Sequence, residues 1–165
     1  MKTNKKIRFI SQSALIASLY IVLTYLTAAL GLASGAIQCR FSEAMCVLPA
    51  FTPAAIPGLF IGCLLSNLLT GSVIFDIIFG SLATLIGAVG TYYLSKFKTH
   101  EILYPIPAIA ANTIIIPFVL KFAYGMQGSV WYFVATVGAG EIISCGILGM
   151  LLYYCIKRKA SNLFK

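Results

Sequence analysis

Apolar residues run along this chain in long blocks separated by short polar or glycine- and proline-rich breaks, rather than in the narrow stripe of a helix lying on a soluble core. The blocks fall at about 9–30, 37–50, 54–70, 74–95, 102–120 and 130–156. A helix of about 20 apolar residues spans the roughly 30 Å hydrocarbon core of a bilayer and satisfies its own backbone hydrogen bonds. The pattern therefore predicts an all-α membrane protein, a six-transmembrane-helix bundle forming one integral membrane domain over residues 1–165. The first block, Phe9 to Leu30, exceeds the apolar stretch of about 7 to 15 residues in a cleaved signal peptide, so it is read as a retained helix. The second, 37–50, is short and runs into Pro49, Pro53 and Pro57, each of which removes a backbone donor and crowds the preceding turn. A kinked or re-entrant segment is the alternative there.

Composition strengthens this reading. With 60% hydrophobic and 10% charged residues and a mean hydropathy of +0.96, a water-soluble domain has no way to hide its apolar side chains. Charge then orients the bundle, because basic residues stay in short cytoplasmic loops. An inside N-terminus places Lys2, Lys5, Lys6 and Arg8, then Lys96 and Lys98, then Lys157, Arg158, Lys159 and Lys165 on one side, ten of the twelve basic residues. Arg40 and Lys121 fall outside or near the outer face, and both termini are expected in the cytoplasm. The net charge of +8 is thus a topology signal and an attraction to anionic lipid, not the footprint of nucleic-acid binding.

Catalytic chemistry finds little to work with. Cys39, Cys46, Cys63, Cys145 and Cys155 lie in apolar segments without a C-x-x-C pair, and His100 is the single histidine, so neither a disulfide framework nor a metal site is indicated. No phosphate-binding G-x-x-x-x-G-K-[ST] run and no Ser/His/Asp set is present. The chain reads as a non-catalytic binding subunit without a cofactor, and it is short for a transporter built from two repeats.

Four acidic residues remain. Glu101 sits beside His100 in a loop and reads as a solvated charge, whereas Glu43, Asp76 and Glu141 fall in or at the edge of apolar blocks. An ionised carboxylate at the bilayer centre costs about 2.5 to 3.5 kcal/mol on insertion scales, so such groups face a bundle interior or an aqueous cavity. At 1.5 Å per residue, Arg40, Glu43, Asn67 and Asp76 lie near the outer ends of their helices, while Asn112 and Glu141 lie near the midplane. An outward-facing pocket floored by Asn112 and Glu141 satisfies them all. Arg40 and Glu43 at i and i+3 also suit a simple pair on one helix face, and Asp76 suits a helix cap. Glu141 follows Gly138-Ala139-Gly140, which leaves room for a ligand or a close helix. Small residues recur as Ser13-x-x-x-Ala17 and Ala14-x-x-x-Ser18 in the first helix and Gly58-x-x-x-Gly62 in the third, spacings that let helices approach closely in lipid.

Specific runs go further. Arg40-Phe41-Ser42-Glu43-Ala44, the stretch Leu48-Pro49-Ala50-Phe51-Thr52-Pro53-Ala54-Ala55-Ile56-Pro57-Gly58-Leu59, Gly62-Cys63 with Asn67, Asp76 followed by Phe79 to Leu85, and Gly138 to Glu141 together resemble the signature of the QueT family over about residues 8–157. The resemblance implies an S component, the substrate-capture subunit of an energy-coupling-factor (ECF) importer in the bacterial cell membrane. It would bind a queuosine precursor or salvage 7-deazaguanine from outside and dock on a transmembrane coupling subunit carrying two ATPases. The resemblance also implies docking through small residues of the first helix, Ala14, Ala17 and Ser18. Cys39 and Cys46 beside the Arg/Glu motif depart from the family pattern. A guanine-like edge offers parallel N–H donors and a carbonyl acceptor, which suits Glu141 as acceptor and Asn112 or Arg40 as donor, with Glu43, Asn67 and Asp76 shaping the pocket. An S component for another vitamin or purine-like micronutrient and a small proton-coupled carrier are the alternatives.

Overall fold

The computed structural model describes residues 4–31 and 39–159, and all regular structure among them is helical. Helix α1 spans Lys5–Ala29. A tight 3-10 helix follows at Phe41–Ala50, then α2 at Ala55–Leu69 and α3 at Ile74–Lys96. A single 3-10 turn, Glu101–Leu103, leads into α4 at Ile106–Phe118, which widens into a π-helical turn at Val119–Ala123. Helix α5, Val130–Glu141, continues through a π-helical segment, Ile142–Leu148, into α6 at Gly149–Lys159.

Among the described residues, four stretches are long and apolar enough to cross a membrane: Lys5–Ala29, Ile74–Lys96, Glu101–Ala123 and Val130–Arg158. The remaining two apolar helices are shorter. At about 1.5 Å per residue the fifteen residues of α2 extend roughly 22 Å, and at about 2.0 Å per residue the ten residues of the 3-10 helix extend roughly 20 Å. The helix expected over 37–50 is thus replaced by a 3-10 helix that begins at Phe41, positions 37 and 38 lying outside the described residues. Its physical cause is twofold. Pro49 sits inside it and denies the α-helical bond. Ser42, Glu43, Met45, Cys46, Val47 and Leu48 are all buried, so the segment runs through the interior with neighbours on every side instead of facing lipid on one.

Contacts gather the elements into two ends. At one, Thr52 donates to Gln12 at 3.2 Å, the Phe51 and Tyr104 rings pack on Tyr153 at 4.9 and 5.4 Å, and Lys157 pairs with Glu101. Glu101 is therefore partnered as well as partly solvated. At the other end, the Phe41 amide donates to Thr27 and Arg40, Asn67, Asp76 and Tyr124 meet. Lys5, Lys6, Arg8, Lys96, Lys98, Lys157 and Arg158 consequently share the first end, and Arg40 lies at the second.

Between the ends, helices touch through missing side chains. A Cβ at Gly58 would stand 2.8 Å from the Ser13 carbonyl and one at Gly62 would stand 2.8 Å from Tyr20 Cβ, so α1 and α2 approach as closely as backbones allow. Ser13 Oγ adds a bond to the Ala54 carbonyl at 2.9 Å. Gly87 of α3 meets Ala108 of α4 in the same way. The resulting core of Ile16, Tyr20, Met45, Leu48, Leu59 and Cys63 is surrounded by exposed apolar residues such as Leu15, Leu19, Val22, Leu68, Ile86, Ile147 and Leu151. This surface suits lipid and not water.

Gly62→Leu forces α1 and α2 apart and is expected to destabilise the fold by about 1 to 3 kcal/mol, the usual cost of overpacking. Thermal melting in detergent checks this, and an unchanged midpoint would mean that the two helices do not meet there.

Candidate functional site

The polar residues singled out from the sequence come from distant parts of the chain, and the fold brings all six to one place. Arg40 stands in extended backbone before the 3-10 helix, and its amide donates to Ser144 Oγ in the π-helical segment at 3.2 Å. Its guanidinium lies 3.9 Å from Asp76 Oδ2 and 3.5 Å from Asn67 Oδ1. Asp76 Oδ2 also accepts from the Tyr124 hydroxyl at 2.9 Å. Burial, with the Asp76 carboxylate beside it, raises the Tyr124 phenol above its ordinary value, which keeps it a donor. Asp76 thus works as an acceptor between three elements. The N-cap position of α3 belongs to Val73, without a side-chain bond.

Glu43 takes a different partner. It is buried in the 3-10 helix and accepts from the hydroxyl of Tyr20, a fully buried side chain of α1. Arg40 and Glu43 therefore serve different elements rather than pairing along one helix face. Glu141 ends α5, one turn before Cys145, whose thiol lies 3.1 Å from Glu141 Oε2 and 3.4 Å from the Glu43 carbonyl. Carboxylate oxygens of Glu43 and Glu141 and the Cys145 sulfur lie within 4.8 Å of one another, the one grouping of metal-ligand types found among the described residues. A thiol that donates a hydrogen bond keeps its proton, whereas a metal takes the thiolate, so the arrangement reads as a hydrogen-bonded set.

Arg40, Glu43 and Glu141 line a cavity completed by Cys63, Gly80, Thr84, Asn112, Ile116 and Val137. The cavity volume is about 20 Å³, room for about one water molecule. In Asn112, only 4% exposed, the Nδ2 donor has no hydrogen-bond partner. An unused buried donor costs about 1 to 3 kcal/mol, and here it shares the cavity wall with the Glu141 carboxylate, a neighbouring acceptor. The π-helical segments after Phe118 and after Glu141 flank this space. Such insertions widen a turn and recur at functional sites.

Several participants escaped sequence reasoning. Cys145 carried a signal in its i+4 spacing from Glu141, and Thr84 lay inside the motif from Phe79 to Leu85. Tyr20 and Tyr124 carried none, since their roles depend on tertiary neighbours. A Cβ at Gly138 would stand 3.4 Å from Thr113 of α4, an ordinary van der Waals contact, so Gly138 faces α4. Of the small residues in α1, Ala17 is 7% exposed and packs on Gly62, whereas Ala14 and Ser18 are exposed. Ala17 therefore belongs to the α1–α2 contact and not to a free strip.

A family model described as QueT transporter matches residues 10–158. The "Queuosine precursor transporter QueT" of Lactococcus lactis subsp. cremoris (strain MG1363) is 34% identical over 86 residues, 52% of this chain and 50% of that protein. The aligned stretch thus spans about half the length of that relative. No solved structure matches the chain.

Tyr20→Phe removes the phenolic donor to Glu43 while keeping the ring. Leaving a buried carboxylate short of a partner is expected to lower unfolding free energy by about 1 to 3 kcal/mol. Melting of the detergent-solubilised variant beside the parent checks it, and equal stability would dissociate Tyr20 from Glu43.

Proposed function

The chain belongs to the QueT transporter family, and from that premise we propose that it is the substrate-capture S component of an ECF-type importer, binding a queuosine precursor of the 7-deazaguanine type. The observation that carries this reading is the small polar cavity walled by Arg40, Glu43, Asn112 and Glu141 inside an otherwise apolar bundle. Substrate pockets are mostly apolar with a few convergent polar groups that set orientation, and these four are such groups.

Glu141 is the acceptor for the paired N–H donors of the guanine-like edge. Asn112 donates to the ring carbonyl, because its Nδ2 is free while Arg40 is held by Asp76 and Asn67. Arg40, Asn67 and Asp76 then hold the outer end together, with Tyr124 as a further strut. A fused heterocycle exceeds the present volume, so capture requires the walls to part and close around it. The basic end is cytoplasmic by the positive-inside rule. The six helical passes are membrane crossings, the second short and buried, and both termini face the cytoplasm. The cavity lies toward the opposite end, where a ligand arrives from outside. Docking on the coupling subunit and its two ATPases uses the exposed strip of Ala14 and Ser18, where small side chains give an approaching helix close van der Waals contact.

Glu141→Gln replaces an acceptor by a group that is half donor, and it is expected to weaken 7-deazaguanine binding about 10- to 100-fold, the equivalent of about 1.5 to 3 kcal/mol for a charged hydrogen bond. Calorimetry on monodisperse protein measures it, and parental affinity would remove Glu141 from the site.

Docking is tested separately. Ala14→Trp with Ser18→Trp is expected to keep ligand affinity in detergent while abolishing co-purification with the coupling module and uptake in cells. Ala17→Trp, by contrast, is expected to disrupt the folded monomer. Normal co-purification of the double variant would place docking elsewhere.

A further inference from the structure

The face of the bundle between α3 and α4 carries a second cavity, separate from the polar one and opposite in character. It measures about 550 Å³, and all ten residues that line it are apolar, so it offers a solute no hydrogen bond. Phe75, Phe79 and Ile86 supply the α3 side, and Ile114, Phe118 and Phe122 the side of α4 and its π-helical turn. The rings pair one turn apart along each helix, Phe75 with Phe79 at 6.5 Å and Phe118 with Phe122 at 6.4 Å, both pairs nearly parallel. These six side chains are exposed. The described chain therefore leaves the groove open.

Length and depth indicate what fits. From Phe75 to Ile86 the groove follows eleven positions of α3, about 16 Å of helix and close to half of the roughly 30 Å hydrocarbon core. It thus runs the depth of one leaflet, from the Arg40 end to the middle of the bundle. At its mouth stands Lys121, in the same π-helical turn as Phe122. The Lys121 ammonium donates to the Gly128 carbonyl at 2.7 Å, which brings it beside the start of α5, where Trp131 and Tyr132 are exposed. Exposed Trp and Tyr mark the level of the lipid headgroups. Among the described residues no carboxylate lies within ion-pair distance of Lys121, and Asp76 of α3 is engaged by Arg40 and Tyr124. An ammonium has three donors, so the lysine keeps both charge and bonding capacity for a headgroup.

From these observations we infer that the groove between α3 and α4 is a binding site for an anionic phospholipid of the leaflet at the Arg40 end. One acyl chain lies between the two phenylalanine pairs, and the phosphate meets Lys121. A chain on a convex helix surface is touched from one side, whereas a chain in the groove gains close contacts from both helices. The lysine adds selection by headgroup charge. This site is independent of what the polar cavity binds. The strip assigned to the coupling subunit lies on α1, which packs on α2 and the 3-10 helix, so docking there leaves the groove to lipid.

Trp131 is the single tryptophan of the chain, so the site can be read by fluorescence. Trp131→Phe with Phe79→Trp puts the one indole in the groove, and Trp131→Phe with Leu19→Trp puts it on the exposed side of α1 as a reference. Each full-length variant is reconstituted in phosphatidylcholine vesicles holding an equal small fraction of dibrominated phosphatidylglycerol or dibrominated phosphatidylcholine, whose bromines quench an indole they touch. At position 79 the phosphatidylglycerol is expected to quench as though enriched about fivefold beyond its enrichment at position 19, the scale of one lysine meeting an anionic headgroup. Adding Lys121→Gln is expected to bring positions 79 and 19 level. Phe118→Trp, on the facing helix, repeats the reading if Phe79→Trp does not yield monodisperse protein. Equal enrichment at the two positions of the parent background would overturn the anionic-lipid site, leaving general attraction to a basic protein. A preference that survives Lys121→Gln would overturn the role of the lysine. An indole in the groove that neither lipid quenches, while the one at position 19 is quenched, would mean that another protein chain covers the groove, and would overturn the lipid site altogether.

Discussion

Everything at the Arg40 end of this bundle depends on one constraint: a polar group held among apolar helices has to find a partner. Arg40 meets it through Asp76 and Asn67, and Asp76 through Tyr124. Those three contacts join the start of the 3-10 helix, the end of α2, the first turn of α3 and the end of α4. Glu43 meets it through Tyr20 and so ties the same 3-10 helix to α1. Without such pairing a ten-residue segment interrupted by proline has little reason to hold one conformation, since tight 3-10 geometry is seldom sustained over that length.

A second constraint shapes the middle of the molecule. Between helices in lipid there is little hydrophobic force, so close contact has to come from van der Waals packing. Glycines at positions 58, 62 and 87 provide it by letting neighbouring backbones meet. The close seam between α1 and α2 leaves Ala14 and Ser18 on the outside and Ala17 within, which separates an exposed surface from one already used by α2. A repeat of small residues that looks uniform in the sequence thus divides into two faces with different work.

The cavity follows from both. Paired charges hold one end, Gly80, Thr84, Ile116 and Val137 complete the walls, and the space left between is narrow, polar and incompletely satisfied. The apolar bundle around it excludes competing water, and a small number of groups with unmet bonding capacity become favourable only when a solute supplies the complement.

By itself the sequence determined that the chain is helical and membrane-embedded, because only a bilayer accepts so many apolar residues in runs of this length. It also singled out Arg40, Glu43, Asn67, Asp76, Asn112 and Glu141, since a polar residue stands out against an apolar background wherever it falls. Tertiary structure alone decided the pairing. Arg40 was within reach of Glu43 along one helix, yet it lies with Asp76, 36 positions away, and Glu43 bonds instead to Tyr20. Only the fold showed that the second segment is a buried 3-10 helix, that Gly138 faces α4, and that Cys145 and Tyr124 join the polar network. Burial of each residue leaves a trace in its own chemistry and can be read locally, whereas the choice of partner is set by how the helices pack against one another, which no local pattern encodes.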